Sequence, residues 1–267
     1  MDSATRICVS IAAHPGRFGL RFHNAGYRLF KLNFAYVPLQ VRPDDTEYAI
    51  RLVRDNFHGC SLSMPHKIRG MELADARDET ADRCGAANTL LREADGTLTA
   101  FNTDLLGTRR LLASRSVSVA GRPVLLLGAG GVARAIATAL TDAGAALVIA
   151  SRTFERAAAL AASVGGEVRK WEDRNDVSGF ALVNATPVGM ESDELPVTTE
   201  CLERFEVVMD VVVRPESPVV RAARALGKDV VPGTVLAAYQ AAEQFRIYTG
   251  RTLPETFVTD AADGRLP

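Results

Sequence analysis

Short apolar runs alternate with amphipathic stretches along the whole chain, the pattern of a parallel α/β sheet covered by helices. In the first part, residues 6–12, 35–40 and 60–63 predict strands. Residues 20–31 and 44–56 predict helices, the second because Tyr48, Leu52 and Val53 recur at helical spacing. Asp95-Gly96, between the runs 89–91 and 98–101, predicts a hairpin turn. Residues 105–114 read as a helix leading into a second unit. That unit opens with Arg122-Pro123 and the buried-strand run 124–127, followed by a helix at 131–143, a strand at 146–150 and a helix at 155–163. Further strands are expected at 181–184, 207–212 and 229–231, and a helix rich in alanine and glutamine at 234–248. The expected organisation is α/β in two domains, one formed by 1–104 with 235–267 and the other by 105–234.

Composition narrows the classes of function. The 267 residues are 47% apolar and 24% charged, which excludes a disordered chain. With 31 basic and 32 acidic residues the net charge is -1, so no electrostatic drive toward nucleic acid or an anionic membrane is expected. Cys8, Cys60, Cys84 and Cys201 are scattered and lack CxxC spacing, which points to a reducing cytoplasm rather than a disulfide scaffold. No export signal is read at the N-terminus, and the most apolar stretch, 124–140, is broken by glycines and Arg134 and cannot span a bilayer. His14, His23, His58 and His66 have no metal-ligand spacing, so no metal is expected. His23 and Trp171 are expected to pack.

The first chemical motif is Gly128-Ala129-Gly130-Gly131-Val132-Ala133, which follows a buried strand and opens a helix. Its GxGxxA spacing suits a dinucleotide: glycines permit the tight turn and close approach of a pyrophosphate, and free N–H groups at the helix start bind phosphate. The bland alternative is a βα turn that holds nothing. The next strand end chooses the nucleotide. Ser151-Arg152-Thr153-Phe154-Glu155-Arg156 has no carboxylate where NAD enzymes bind the ribose hydroxyl, and its arginines and hydroxyls suit the 2′-phosphate of NADP. Alternatively, Arg156 pairs with Glu155 or with water.

Lys67 follows a strand, at the start of a helix that Pro65 is expected to open, and Asp104 closes Asn102-Thr103-Asp104. Each alone reads as a surface charge; both lie at element ends that can face a crevice between two units. A lysine there can exchange the hydroxyl proton when hydride passes between an alcohol and a nicotinamide, and an aspartate would position it. Asn88 supplies an amide suited to a hydroxyl. The residues by themselves point to an NADP-binding α/β enzyme acting on a small polar alcohol or carbonyl.

At these residues the chain resembles the shikimate dehydrogenases, most nearly their shikimate dehydrogenase-like branch. Ser61-Leu62-Ser63-Met64-Pro65-His66-Lys67 resembles the NVTxPxK segment, Gly85-Ala86-Ala87-Asn88-Thr89-Leu90 the GAxNTL segment and Asn102-Thr103-Asp104 the NTD segment. Gly128 to Ala133 matches the glycine loop, and Ser151-Arg152-Thr153 through Arg156 resembles the NRTxxR phosphate clamp. Asn184-Ala185-Thr186 to Gly189 is similar to NATxxG, and Gln240 to the glutamine of the final helices. The resemblance implies a substrate domain and a Rossmann-type NADP domain around a cleft, and reversible reduction of 3-dehydroshikimate to shikimate in the pathway to chorismate and the aromatic amino acids. It makes Lys67 and Asp104 catalytic, and Ser63, Asn88 and Gln240 substrate-binding. Asn184, Thr186 and Gly233 join the two glycine-loop and clamp segments as cofactor-binding residues.

The chain departs from the family in two places. Where the family carries Ser-x-Ser before His-Asn, this chain has Arg17-Phe18-Gly19, and Val213 stands in place of a tyrosine. Arg17 is a candidate fork for the substrate carboxylate and equally a solvated side chain. The departure implies weak shikimate turnover or a related substrate such as a quinate- or aminoshikimate-like compound. A rival reading is an NADP-binding sensor with little turnover. Monomer and homodimer are both compatible with the sequence.

Overall fold

The computed structural model describes residues 2–115, 118–214 and 216–266. The chain forms two compact units, Met1–Gly107 with Ala238–Pro267, and Thr108–Ala237. In chain order the elements are β1 (Arg6–Ala12), α1 (Phe18–Leu29), β2 (Phe34–Gln40), α2 (Thr46–Asn56), β3 (Gly59–Leu62), α3 (Lys67–Glu72), β4 (Ala76–Arg77), α4 (Glu79–Cys84), β5 (Thr89–Arg92), β6 (Leu98–Phe101) and α5 (Thr103–Ser114). They continue as β7 (Pro123–Leu127), α6 (Gly131–Asp142), β8 (Ala146–Ala150), α7 (Phe154–Val164), β9 (Glu167–Arg169), β10 (Ala181–Asn184), α8 (Thr199–Leu202), β11 (Val207–Asp210), α9 (Pro218–Ala225), β12 (Asp229–Val231), α10 (Gly233–Thr249) and α11 (Glu255–Ala262). Among the described residues no helix is long and apolar enough to cross a membrane.

The first unit holds a six-stranded sheet in the order β2-β1-β3-β5-β6-β4. The sequence pattern predicts parallel strands with one hairpin: β1 pairs parallel to β2 and β3, β5 and β6 form the predicted antiparallel hairpin, and β5 also runs antiparallel to β3. The Asp95-Gly96 turn, with Gly96 at φ +90, folds β5 back onto β6 and so reverses the local direction. One face of the sheet carries Val9, Ile11, Cys60 and Leu62, packed against Ile50 and Val53 of α2. The other bears polar side chains: Ser61 and Tyr36 meet Gln244 and Tyr248 of α10 there. Period-two alternation thus separates an aliphatic layer from one in which aromatic rings, such as His23 stacked on Tyr36 and Phe245, surround buried hydrogen bonds.

Of the three residues whose spacing predicts α2, only Val53 joins its buried face. Its buried residues are Thr46, Ala49, Ile50 and Val53, whereas Tyr48 and Leu52 are exposed. The stripe follows the 3.6-residue period from Thr46, which places Tyr48 on the opposite side. Likewise α3 opens at Lys67, two residues after Pro65, because His66 N–H closes a turn on Ser63 O at 2.8 Å before the helix begins. The edge strand β2 is guarded by Asn24 of α1, which accepts from Tyr36 N–H and donates to Tyr36 C=O, both at 3.0 Å. One side chain there does the work of a neighbouring strand.

The second unit holds an all-parallel six-stranded sheet, β12-β11-β10-β7-β8-β9. Crossing from β7 outward in both directions gives the doubly wound order, with the C-terminal ends of β7 and β10 side by side at the switch point. Leu125, Leu127, Leu182, Val208, Phe205 and Val219 fill one core layer. The short helices α4 and α9, too brief to show much periodicity, begin at side-chain caps: Asp78 accepts from Thr80 and Ala81 N–H, and Ser217 from Val220 N–H.

Candidate active site and nucleotide-binding loop

In the first unit the turn after β3 delivers Lys67 as the first residue of α3, and the start of α5 delivers Asp104. Asn102 makes the second placement. Its Oδ1 caps α5 by accepting from Leu105 N–H at 3.1 Å, and its Nδ2 donates to Ala86 O at 2.8 Å. Asp104 therefore lies in the first helical turn, where the helix dipole favours a carboxylate. Lys67 Nζ donates to Asp104 Oδ2 at 2.5 Å, and the side chains are only 15% and 7% exposed. A charge pair this withdrawn from water is held by its geometry and is costly to break by removing one partner.

Beside the pair stands a set of amides and hydroxyls with defined directions. Asn88 Oδ1 accepts from Thr103 N–H (2.8 Å), Thr103 Oγ1 (3.0 Å) and Thr89 Oγ1 (2.9 Å). The carbonyl end of that amide is thereby turned inward, and Nδ2 donates to Gln240 Oε1 at 3.2 Å. Gln240 is brought close by Gly107 of α5: a Cβ there would lie 2.7 Å from Gln240 N, so only glycine permits this helix approach. Ser63 is exposed beyond β3, and its main-chain N–H donates to Ile11 O at 3.0 Å. Arg17, at the start of α1, is exposed and makes no ion pair among the described residues.

In the second unit the loop after β7 has the backbone that its glycines demand. Gly128 has φ +109, and a Cβ on it would lie 2.6 Å from Ala185 O. Gly130 precedes α6 with no side-chain cap, no acidic residue stands in the first turn, and open space lies where its Cβ would be. Ala133 is fully buried at the helix–strand contact. This arrangement fits a phosphate, whose oxygens would take the uncapped N–H groups of Gly131, Val132 and Ala133, since Arg134 N–H already donates to Gly130 O at 3.0 Å. At the end of β8, Ser151 is half-buried and Arg152, Thr153 and Arg156 are exposed. Neither arginine pairs with a carboxylate among the described residues, Glu155 included, so both forks stand open to a 2′-phosphate.

The end of β10 is built differently. Asn184 spends both amide hydrogens, on Val188 O (3.3 Å) and Asp210 Oδ1 (2.9 Å), and its Oδ1 accepts from Thr186 N–H and Oγ1. It shapes the Thr186–Gly189 loop with no capacity left over. Asp210 is fully buried and also accepts from Ser217 Oγ at 2.5 Å and Val212 N–H at 3.2 Å. Burial raises its carboxyl above the usual carboxylate range, and these donors oppose that shift. Gly233 opens α10, and a Cβ there would collide with Val212 O.

Two family models match: "Shikimate dehydrogenase substrate binding domain" over residues 19–90 and "Shikimate / quinate 5-dehydrogenase" over residues 111–182. A shikimate dehydrogenase (NADP(+)) of Rubrobacter xylanophilus is 42% identical, over 94% of this chain and 93% of its own. The chain belongs to the shikimate dehydrogenase family. Shikimate 5-dehydrogenase of Thermus thermophilus, solved in complex with NADP(H) and shikimate, superposes with a TM-score of 0.86 at 32% identity, covering 98% of this chain and 99% of that one. The ligand-free 5-ketofructose reductase of a Gluconobacter species superposes with a TM-score of 0.82 at 28% identity, covering 98% and 99%.

Within this family fold, the sequence-predicted residues fall into two groups. Lys67, Asp104, Asn88 and Gln240 come together in the first unit, while Gly128 to Ala133 and Ser151 to Arg156 lie at adjacent strand ends of the second. Thr103, Ser61, Gln244 and Asp210 escaped the sequence reading as parts of these sites. Thr103 had a signal in its place inside Asn102-Thr103-Asp104. Ser61 likewise lay inside the segment that ends at Lys67, whereas a glutamine one turn beyond Gln240 and an aspartate at a strand end are each ordinary.

Proposed function

We propose that the protein is an NADP-dependent dehydrogenase that interconverts a ring ketone and its alcohol, with 3-dehydroshikimate and shikimate as the pair. The observation that carries this reading is the withdrawn Lys67–Asp104 pair beside an oriented amide. Family membership supports the cofactor and the substrate class. When bound, NADPH supplies the hydride that reduces a carbonyl carbon. Gly131, Val132 and their neighbours hold its pyrophosphate through main-chain N–H groups, and Arg152 and Arg156 take its 2′-phosphate.

Lys67 serves the proton side of the reaction. In the reducing direction its ammonium gives a proton to the carbonyl oxygen as that oxygen gains negative charge; in the oxidising direction the amine takes the hydroxyl proton. Asp104 holds Nζ in one place. Asn88 retains one N–H that can donate to a substrate oxygen, because its carbonyl end is already occupied. Ser63 adds an exposed hydroxyl, and Arg17 is the fork assigned to the carboxylate.

The test is spectrophotometric. NADP reduction is followed with shikimate, quinate and an aminoshikimate, and NADPH oxidation with 3-dehydroshikimate and 5-ketofructose. Turnover fastest with the shikimate pair is expected. Binding of NADPH without turnover of any of these compounds sinks the proposal.

A further inference from the structure

Beneath the amides of the first unit lies a buried polar chain that the reaction does not use directly. Tyr36 of β2 donates to Ser61 Oγ at 2.7 Å, and Ser61 Oγ donates to Gln244 Oε1 at 3.1 Å. Gln244 Nε2 donates to the main-chain carbonyl of Asn88 at 3.2 Å, which also receives Leu62 N–H at 2.8 Å. His23 Nε2 lies 3.3 Å from the same Oε1, so the ring donates there. Gln244 is only 4% exposed. Its oxygen faces two donors and its nitrogen faces an acceptor, so its amide has one allowed orientation.

Gln244 follows Gln240 by one helical turn, and both touch Asn88. Gln240 meets the side chain of Asn88 and Gln244 meets its backbone. Through its single amide, Gln244 joins the strand that leads to Lys67, the residue Asn88 and helix α1.

We propose that Gln244 is a positioning residue for the substrate: it holds Asn88 in the register that aims its one remaining N–H. The inference rests on the reading of Asn88 as a substrate contact. An apolar side chain at 244 would leave His23 Nε2 and one lone pair of Asn88 O without their partner and turn the Ser61 hydroxyl to Tyr248 Oη, 3.2 Å away, and Asn88 would lose its fixed position.

The test uses the full chain. Gln244→Leu is expected to weaken shikimate binding, measured by calorimetry, about tenfold, with NADPH binding unchanged within about twofold. In an Asn88→Ala background the same change is expected to have no further effect on shikimate, because Gln244 acts through Asn88. Additive losses in the double variant, or an unchanged shikimate affinity, overturn the proposal. The side-chain amide resonances of Asn88 in ligand-free labelled protein give a second readout: they are expected to shift and broaden in Gln244→Leu, and unaltered signals refute the assignment. Should that variant fail to fold, Ser61→Ala removes one of the two donors that orient Gln244 and is expected to weaken shikimate binding about threefold; no change there counts against it. If the parent protein does not bind shikimate, the proposed function falls, and the Asn88 resonances alone decide the role of Gln244.

Discussion

The polar groups around Lys67 and Asn88 in the first unit are spent on one another, whereas those of the glycine loop and of the arginines after β8 in the second are left unspent. Lys67 is bonded to Asp104, and Asn88 has three donors on its oxygen before any ligand arrives. In the second unit the start of α6 is uncapped, and Arg152 and Arg156 stand exposed without carboxylates among the described residues. The difference follows from what each set is asked to do. A proton donor must be in position before the reaction, and the chain supplies the bonds that fix it. A phosphate brings its own charge and acceptors, so its partners are best left open, and water fills them meanwhile.

The contrast is most vulnerable at its most committed pair. Lys67→Ala is expected to lower kcat about a thousandfold, the range of a lost general acid, with NADPH binding unchanged. Rapid turnover in that variant, followed by absorbance of the coenzyme, would remove the lysine from the chemistry. On the open side, Arg152→Ala with Arg156→Ala is expected to raise KM for NADPH about a hundredfold and to leave KM for NADH nearly unchanged. An equal loss for both coenzymes would mean that these arginines serve the fold.

How much of this was legible beforehand follows the same division. The glycine loop and the arginines after β8 were readable because open sites are built from contiguous residues: the turn, the helix start and the strand end each carry their own local signature. Lys67, Asn88 and Asp104 were readable only as separate motifs, because a 2.5 Å contact between residues 37 apart is set by Asn102 capping α5, not by spacing. Gln244 and Asp210 were silent, and Ser61 was visible only as part of the segment that ends at Lys67, since buried hydrogen-bond partners are chosen by tertiary position. Strand direction was half legible: hydrophobic runs predicted the strands, but only the Asp95-Gly96 turn hinted that β5 and β6 run against the parallel pattern. Helix α2 was found by the spacing of Tyr48, Leu52 and Val53, of which only Val53 is buried: Tyr48 and Leu52 outweigh Ala49 in apolar character yet lie on the solvent side.

The closed network should also betray itself in acid. His23 is buried and stacked on Tyr36 at 4.4 Å between ring centres, and burial pushes its imidazole down to about 3 from its ordinary 6.5. Below pH 6.5 the unfolded chain therefore takes up a proton that the folded one refuses. Stability is complete above that pH and falls as the pH drops, by roughly 1.4 kcal/mol per unit until the folded value is reached. His58 and His66, also lowered by burial, act in the same direction. Asp210 in the second unit acts oppositely: its carboxyl is raised by burial, so its contribution grows as pH falls through its folded value. Urea unfolding at about pH 7, 6 and 5 measures the slope, and His23→Asn is expected to flatten it by close to one proton. An unchanged slope would place the acid sensitivity elsewhere.

The smallest expected change tests the open site from the side of stability. Gly130 has φ -82 and ψ -173, ordinary extended backbone, and nothing lies within 4 Å of where its Cβ would be. Serine fits there without strain, and its hydroxyl would accept from the second or third N–H of α6, as Ser217 does for α9. A glycine-to-serine cap is worth only a few tenths of a kcal/mol, so Gly130→Ser should raise the melting temperature by roughly 1 °C. The same hydroxyl occupies the N–H groups that the pyrophosphate would use and stands in its path, so NADPH binding should weaken about tenfold. A loop kept uncapped for a ligand must trade one quantity against the other. If both stability and coenzyme affinity rose together, the bare start of α6 would have no link to phosphate, and the contrast between the two units would lose its open half.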